Sequence, residues 1–188
     1  MAYIEMVQEA AAAGPLAALY RRFGNPDGTV DNVLKVHSLN PKSLEAHCSL
    51  YVQSMHLPSP VTRAEREMVG VLVSRLNGCH YCLEHHAAGL ERLLPAERQE
   101  VVARLRQGEL GGLTPRERAI LRYAEKLTVT PDQMTHEDVA QLRQTGLSDR
   151  EVLDIAQSAA YFAYANRIAL GLGAQLEDPG ALGQWPQV

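Results

Sequence analysis

Gly78-Cys79-His80-Tyr81-Cys82-Leu83-Glu84-His85-His86 gathers two of the chain's three cysteines and three of its seven histidines into one short stretch. The stretch begins at an Asn77-Gly78 break and leads into a run that reads as helix. In a helix each side chain is turned by about 100° from the last, so Cys82 falls roughly 60° from Cys79 and His86 roughly 20° from it. His85 is displaced by about 120° and His80 by about 100°. Measured from Cys79, one face carries Cys79, Cys82 and His86, and His86 rather than His85 is the imidazole within reach of sulfur. Two thiols three residues apart can also close a small, strained disulfide.

A Cys-X-X-Cys pair at a helix start is a redox arrangement because unpaired N–H groups and the positive end of the helix dipole favour thiolate over thiol. Cys79 lies nearer the helix start, whereas Cys82 lies nearer the imidazole. Which of the two is more acidic stays open on spacing alone.

Upstream, Thr62-Arg63-Ala64-Glu65 is a capping box that opens a helix to about Asn77, with Met68, Val69, Leu72, Val73 and Leu76 as its apolar stripe. Glu67 lies off the centre of that stripe, beside Val71 and Ser74, where a solvated carboxylate is the plain reading. If Asn77-Gly78 reverses the chain, however, Glu67 and His86 stand within one turn of the same height, and the carboxylate can meet the imidazole. Glu67, His86 and Cys82 then form a possible proton relay.

Farther out, residues 1–14 read as a frayed alanine-rich arm, followed by a short helix over Leu16 to Phe23 and a loop at Gly24-Asn25-Pro26-Asp27-Gly28. Asp31 caps a short helix to about Ser38. Asn40-Pro41 starts one to about Met55, on which Cys48 faces the core as a small hydrophobe. Downstream, Leu94-Pro95 ends the cysteine helix, and another runs from Ala96 to about Arg106. Further capping signals at Thr114, Thr135 and Ser148 open helices to about Leu127, Gly146 and Leu170. The last carries many alanines, which allow close helix packing, and Tyr161, Phe162 and Tyr164, which suit core packing or a pocket wall. Residues from about 174 to 188 read as an irregular tail whose single Trp185 can dock on the body or a partner.

No useful strand alternation is present, so the expected fold is all-α in a single domain over 1–188, and a thioredoxin fold is excluded. The net charge of −4 offers no basic field for nucleic acid or anionic lipid. No apolar run reaches the roughly 18 residues of a membrane span, and the N-terminus does not read as a signal peptide. Few cysteines, clustered, point to a cytoplasmic protein with a catalytic or metal-binding pair.

Glu67, eleven intervening residues, then Cys79, Cys82 and His86 resemble the Glu…Cys-X-X-Cys-X-X-X-His signature of the alkyl hydroperoxidase D family. That family lies within the carboxymuconolactone decarboxylase-like superfamily. Asn32-Val33-Leu34, Asn40-Pro41 and Asn166-Arg167-Ile168 extend the likeness outside the block from Thr62 to Leu90, and the long N-terminal extension resembles the peroxidase-related branch. Between the cysteines, Tyr81 stands where the family usually has a histidine, and His80 is one place earlier.

The resemblance implies an AhpD-like helical bundle with a redox core over about 40–128, no cofactor and no metal. It also implies a homo-oligomer, as dimer, trimer or hexamer. By the same resemblance Cys82 attacks a hydroperoxide, Cys79 resolves the sulfenic acid as a disulfide, and His86 with Glu67 forms the relay. An external dithiol or redox-protein reductant must regenerate the pair. The expected activity is thus a thiol-dependent peroxidase. Other readings are a disulfide reductase for a redox partner, a decarboxylase-like enzyme on the shared fold, and a zinc-binding module using Cys79, Cys82 and His86 with His85 or Cys48.

Overall fold

Within residues 2–178, 180, 182 and 183, which the computed structural model describes, the chain forms α1 (Gly14–Phe23), α2 (Asn32–Lys35), α3 (Pro41–Tyr51), α4 (Arg63–Leu76) and α5 (His80–Leu93). It continues with α6 (Gln99–Gln107), α7 (Pro115–Val129), α8 (His136–Gln144) and α9 (Asp149–Leu172). Among the described residues there is no strand, and no helix is long and apolar enough to cross a membrane. The all-α, single-domain expectation holds. Trp185 lies outside the described residues.

Thr62, Thr114 and Ser148 each accept from the backbone N–H of the glutamate three residues on, while that glutamate accepts from the cap residue's own N–H. Two of these glutamates are tied together. Arg116 on α7 donates to Glu65 Oε1 at 2.6 Å and to Glu151 Oε1 at 2.8 Å, which pins the starts of α4 and α9 to the same guanidinium.

α4 is the central rod, packed against α5, α6, α7 and α9. Its residues from Glu65 through Ser74 are all buried, so the broad stripe read from the sequence closes into a fully covered helix. Any carboxylate on α4 within that span is therefore inside the protein.

The small residues of α9 give the close approach expected of them, and the tightest point comes from the other side of the contact. A Cβ on Gly70 of α4 would stand 2.4 Å from the Phe162 ring, and Phe162 is 0% exposed with nowhere to move. Alanine would gain about 1 kcal/mol of helix propensity but overpack the core by about 1–3 kcal/mol. Gly70→Ala is expected to lower stability by up to roughly 2 kcal/mol in urea unfolding; a raised midpoint would show that the helices separate freely and only the helix propensity is felt.

Two segments differ from the sequence expectation. The N-terminal arm is laid along the body instead of fraying: Tyr3 N donates to Leu172 O, Val7 N to Ser38 Oγ, and Tyr20 Oη to Val7 O. Glu9 accepts from Val30 N at 2.9 Å and pairs with Lys35. These polar anchors have no periodic signature. The helix expected to reach Met55 ends as an α-helix at Tyr51 and widens into a π-turn over Val52–His56. That turn leaves Met55 O and Ser54 O for Arg63 and Ser158.

Candidate active site

The chain reverses at Asn77-Gly78, where Gly78 takes φ +67°, a left-handed conformation that a side chain disfavours. Cys79 is the N-cap of α5, and its N–H donates to Ser74 O at 2.9 Å. The hairpin of α4 and α5 brings together the two groups that the sequence could only place at similar heights. His86 Nδ1 donates to Glu67 Oε2 at 2.6 Å.

Glu67 is 0% exposed, so the solvated-carboxylate alternative is ruled out by the burial of α4 on every side. Its other oxygen accepts from Arg63 Nε at 2.8 Å and lies 2.7 Å from Arg63 Nη2. Arg63 in turn donates to His56 Nδ1 at 2.8 Å and Met55 O at 3.2 Å. Burial by itself would raise the Glu67 carboxyl, but His86 and Arg63 together hold it below the usual carboxylate range.

Both sulfurs are reduced and buried, Cys79 at 1% and Cys82 at 4% exposure. The neighbouring Cys82 thiol, against the opposing effect of burial, brings Cys79 down to about 7. The backbone N–H groups of Cys82 and Tyr81 and the side chain of Asn166 assist. Cys82 is pushed well up, first by the adjacent Cys79 sulfur, then by burial and the Cys79 charge. Asn166 is fully buried; its Nδ2 donates to Ser74 Oγ at 3.1 Å and its Oδ1 accepts from Asn77 Nδ2 at 2.9 Å. The contest between helix start and adjacent base thus favours Cys79 as the resting thiolate.

A cavity of about 30 Å³ is walled by Cys82, His85, His86, Tyr51, Tyr161 and Cys48, among others, whereas Cys79 lies off it. That is room for about one water-sized group. Cys48 is the buried hydrophobe expected of it, its thiol pushed up to about 12 by burial, but it also faces this space. Tyr161 lines it too, while Phe162 packs edge-on to His86 at 4.5 Å between ring centroids.

The sequence reading set His85 aside, and the structure places it in the same cavity wall at 1% exposure. Its Nε2 donates to Glu177 Oε2 at 2.7 Å, and its ring lies 4.5 Å from that of Tyr81. Glu177 comes from the segment after α9 that read only as tail. It also accepts from Tyr81 Oη at 3.0 Å and from the backbone N–H of Asn32. Asp31, expected as a helix cap, makes no cap bond; it accepts from Asn25 Nδ2 at 3.0 Å, and burial raises it to about 6 against the opposing field of His85. The signal for His85 was available: counted from Cys82 rather than Cys79, positions three and four residues on both flank the sulfur. His80 points outward, near Glu84. Among the described residues no cluster of three His, Cys, Asp or Glu side chains is placed to hold a metal ion.

A strandless domain that carries its dithiol at a helix start and a carboxylate-bound imidazole one turn on is a helical dithiol protein, distinct in architecture from thioredoxin. The family model described as carboxymuconolactone decarboxylase matches residues 41–126. The crystal structure of an alkylhydroperoxidase AhpD core, a peroxidase-related protein from Ralstonia eutropha JMP134, is similar at 26% identity and TM-score 0.86, covering 99% of this chain and 98% of that one. A peroxidase-related protein from Silicibacter sp. TM1040 is 31% identical at TM-score 0.74, covering 80% of this chain and 78% of that one. The chain belongs to the carboxymuconolactone decarboxylase family, among its AhpD-like, peroxidase-related proteins. The debrominase Bmp8, 20% identical at TM-score 0.74 over 93% of this chain and 91% of its own, shares the fold.

Proposed function

We propose that the protein is a thiol peroxidase in which Cys82 is the attacking residue and Cys79 the resolving one. The observation that carries this reading is that Cys82 and His86, one helical turn apart, wall the same small cavity while Glu67 holds His86 from behind at 2.6 Å. His86 removes the Cys82 proton as the hydroperoxide arrives. The sulfur attacks the terminal oxygen, the O–O bond breaks, and Cys82 becomes a sulfenic acid while the peroxide leaves as an alkoxide, which becomes the alcohol with a proton that balances the one Cys79 gave to solvent on ionising. Cys79, already the more acidic sulfur, attacks Cys82 Sγ, and the hydroxide released takes the proton from His86 to become water. An external dithiol or a redox protein reduces the disulfide.

A disulfide reductase would use the Cys79 thiolate first. That order is disfavoured because Cys79 is 1% exposed and lies off the cavity, whereas the –OOH head of a small hydroperoxide suits the cavity beside Cys82. In a coupled assay Cys82→Ser is expected to consume no peroxide, while Cys79→Ser reacts once. Trapping with dimedone and peptide mass analysis should place the adduct on Cys82. Full turnover in Cys82→Ser, or an adduct on Cys79 of the unsubstituted protein, refutes the assignment.

A further inference from the structure

Two imidazoles wall the cavity, each backed by a carboxylate, and the surroundings of the two pairs differ. Glu67, behind His86, shares its charge with the Arg63 guanidinium on its other oxygen. Glu177, behind His85, accepts on its other oxygen from two neutral donors among the described residues, the Tyr81 hydroxyl and the Asn32 N–H. Lys35 and Asp31, the charged groups that reach this side from α2 and its cap, are of opposite sign, and Asp31 feels both His85 and Glu177. Two acid–base groups beside one reacting sulfur, set apart by their neighbours, are suited to opposite duties. A partly neutralised carboxylate suits a ring that accepts a proton, and a carboxylate with undiminished charge suits a ring that carries two.

We infer that His85, oriented by Glu177, is a second catalytic residue of this site, the proton donor to the oxygen that leaves when the O–O bond breaks. The inference rests on the peroxidase reading above and divides its acid and base work between two rings. His86 takes the Cys82 proton. As the S–O bond forms, the peroxide's distal oxygen stays on sulfur with its hydrogen, and the departing alkoxide takes a proton from the His85 imidazolium. His85 regains its proton from solvent, which received one when Cys79 ionised. Sulfur is oxidised from thiolate to sulfenic acid and the peroxide is reduced to alcohol. Glu177 bears the countercharge while the ring holds two protons, the part a buried carboxylate plays behind an imidazole in hydrolytic triads. It is a positioning residue.

A donor to the leaving oxygen matters when that oxygen departs as a strongly basic alkoxide and little when it departs as a carboxylate. The test compares tert-butyl hydroperoxide with peracetic acid, using single-turnover thiol loss in the dithiothreitol-reduced full chain. The ratio of the two rate constants is expected to fall about 100-fold in His85→Gln and about 10-fold in Glu177→Gln. A purely structural role slows both oxidants alike and leaves the ratio where it was. An unchanged ratio in both variants overturns the inference while leaving the peroxidase reading intact. A parent protein that loses no thiols to either oxidant overturns the peroxidase reading and this one with it. Glu177→Gln keeps shape and lies outside the helices, so it serves even if His85→Gln folds poorly.

Discussion

Glu67→Gln should cost the protein up to about 3 kcal/mol of stability, because it removes a fully buried carboxylate and leaves the Arg63 guanidinium, 24% exposed, with solvent as its main compensation. Arg63 would keep its guanidinium against a neutral amide, with His56 Nδ1, Met55 O and a distant Tyr51 hydroxyl at 3.5 Å as its other partners, none of them charged opposite to it. The amide keeps one accepting oxygen where the carboxylate had two; turned to Arg63, it sets an NH2 group against His86 Nδ1 and disturbs the tautomer that presents the other nitrogen as a base. Sulfenic acid formation at Cys82 should therefore slow by about 100-fold or more. Urea unfolding and single-turnover thiol loss measure the two effects separately. A loss below about 1 kcal/mol would mean that Arg63 finds solvent easily and that the network contributes little.

The same residue sets an acid limb. Its folded carboxyl lies below the ordinary 4.5, because His86 and Arg63 outweigh burial. The stability it contributes is full above that ordinary value and disappears as pH falls through the lower, folded one. Asp31 has the opposite sign. Its folded value is raised to about 6 from 3.8, so its contribution is present below 3.8 and lost as pH rises through about 6. Glu67→Gln should flatten only the most acidic part of the stability curve and leave the shallower decline toward pH 6 in place.

What the sequence made legible follows from which signals are local. Capping boxes and apolar periodicity depend on residues three or four apart, so α4, α7 and α9 emerge with nearly correct bounds. The Glu67–His86 pair was accessible because one tight reversal joins its two helices and fixes their relative height. Glu177 was not, because the contact between it and His85 spans 92 positions and is made by a segment with no periodicity. The arm that carries Tyr3, Val7 and Glu9 was hidden for the same reason: single hydrogen bonds to distant groups hold it. Asn166 stood out only through family resemblance, and its tie to the thiols needs the crossing of α9 over the hairpin. Even His85 was set aside through the choice of origin, since its angular distance is small from Cys82 and large from Cys79.

Each cysteine should report the other's presence in a thiolate titration at 240 nm. The parent protein is expected to show one step near pH 7, from Cys79. In Cys82→Ala that step should move up by at least about one unit, a tenfold smaller thiolate population on the acidic side. The neighbouring Cys82 thiol is the largest influence lowering Cys79, and only the helix N–H groups and Asn166 would remain to oppose burial. In Cys79→Ala the remaining Cys82 should ionise at lower pH than it does in the parent, since it no longer has the Cys79 sulfur and its charge beside it.

Cys79 also links pH to stability. Its folded value lies below its ordinary 9.0, so its contribution is full above 9.0 and is lost as pH falls through about 7. No step below pH 8 in the parent would show that the helix start fails to hold the charge, and would remove the ready thiolate assigned to resolution. If the step is there, the division of labour has a physical basis. On the proposed peroxidase reading, the sulfur that rests as an anion is kept from the cavity, and the sulfur that meets the oxidant keeps its proton until His86 takes it. Over-oxidation is then disfavoured, because the nucleophile that closes the disulfide is already charged when the sulfenic acid forms.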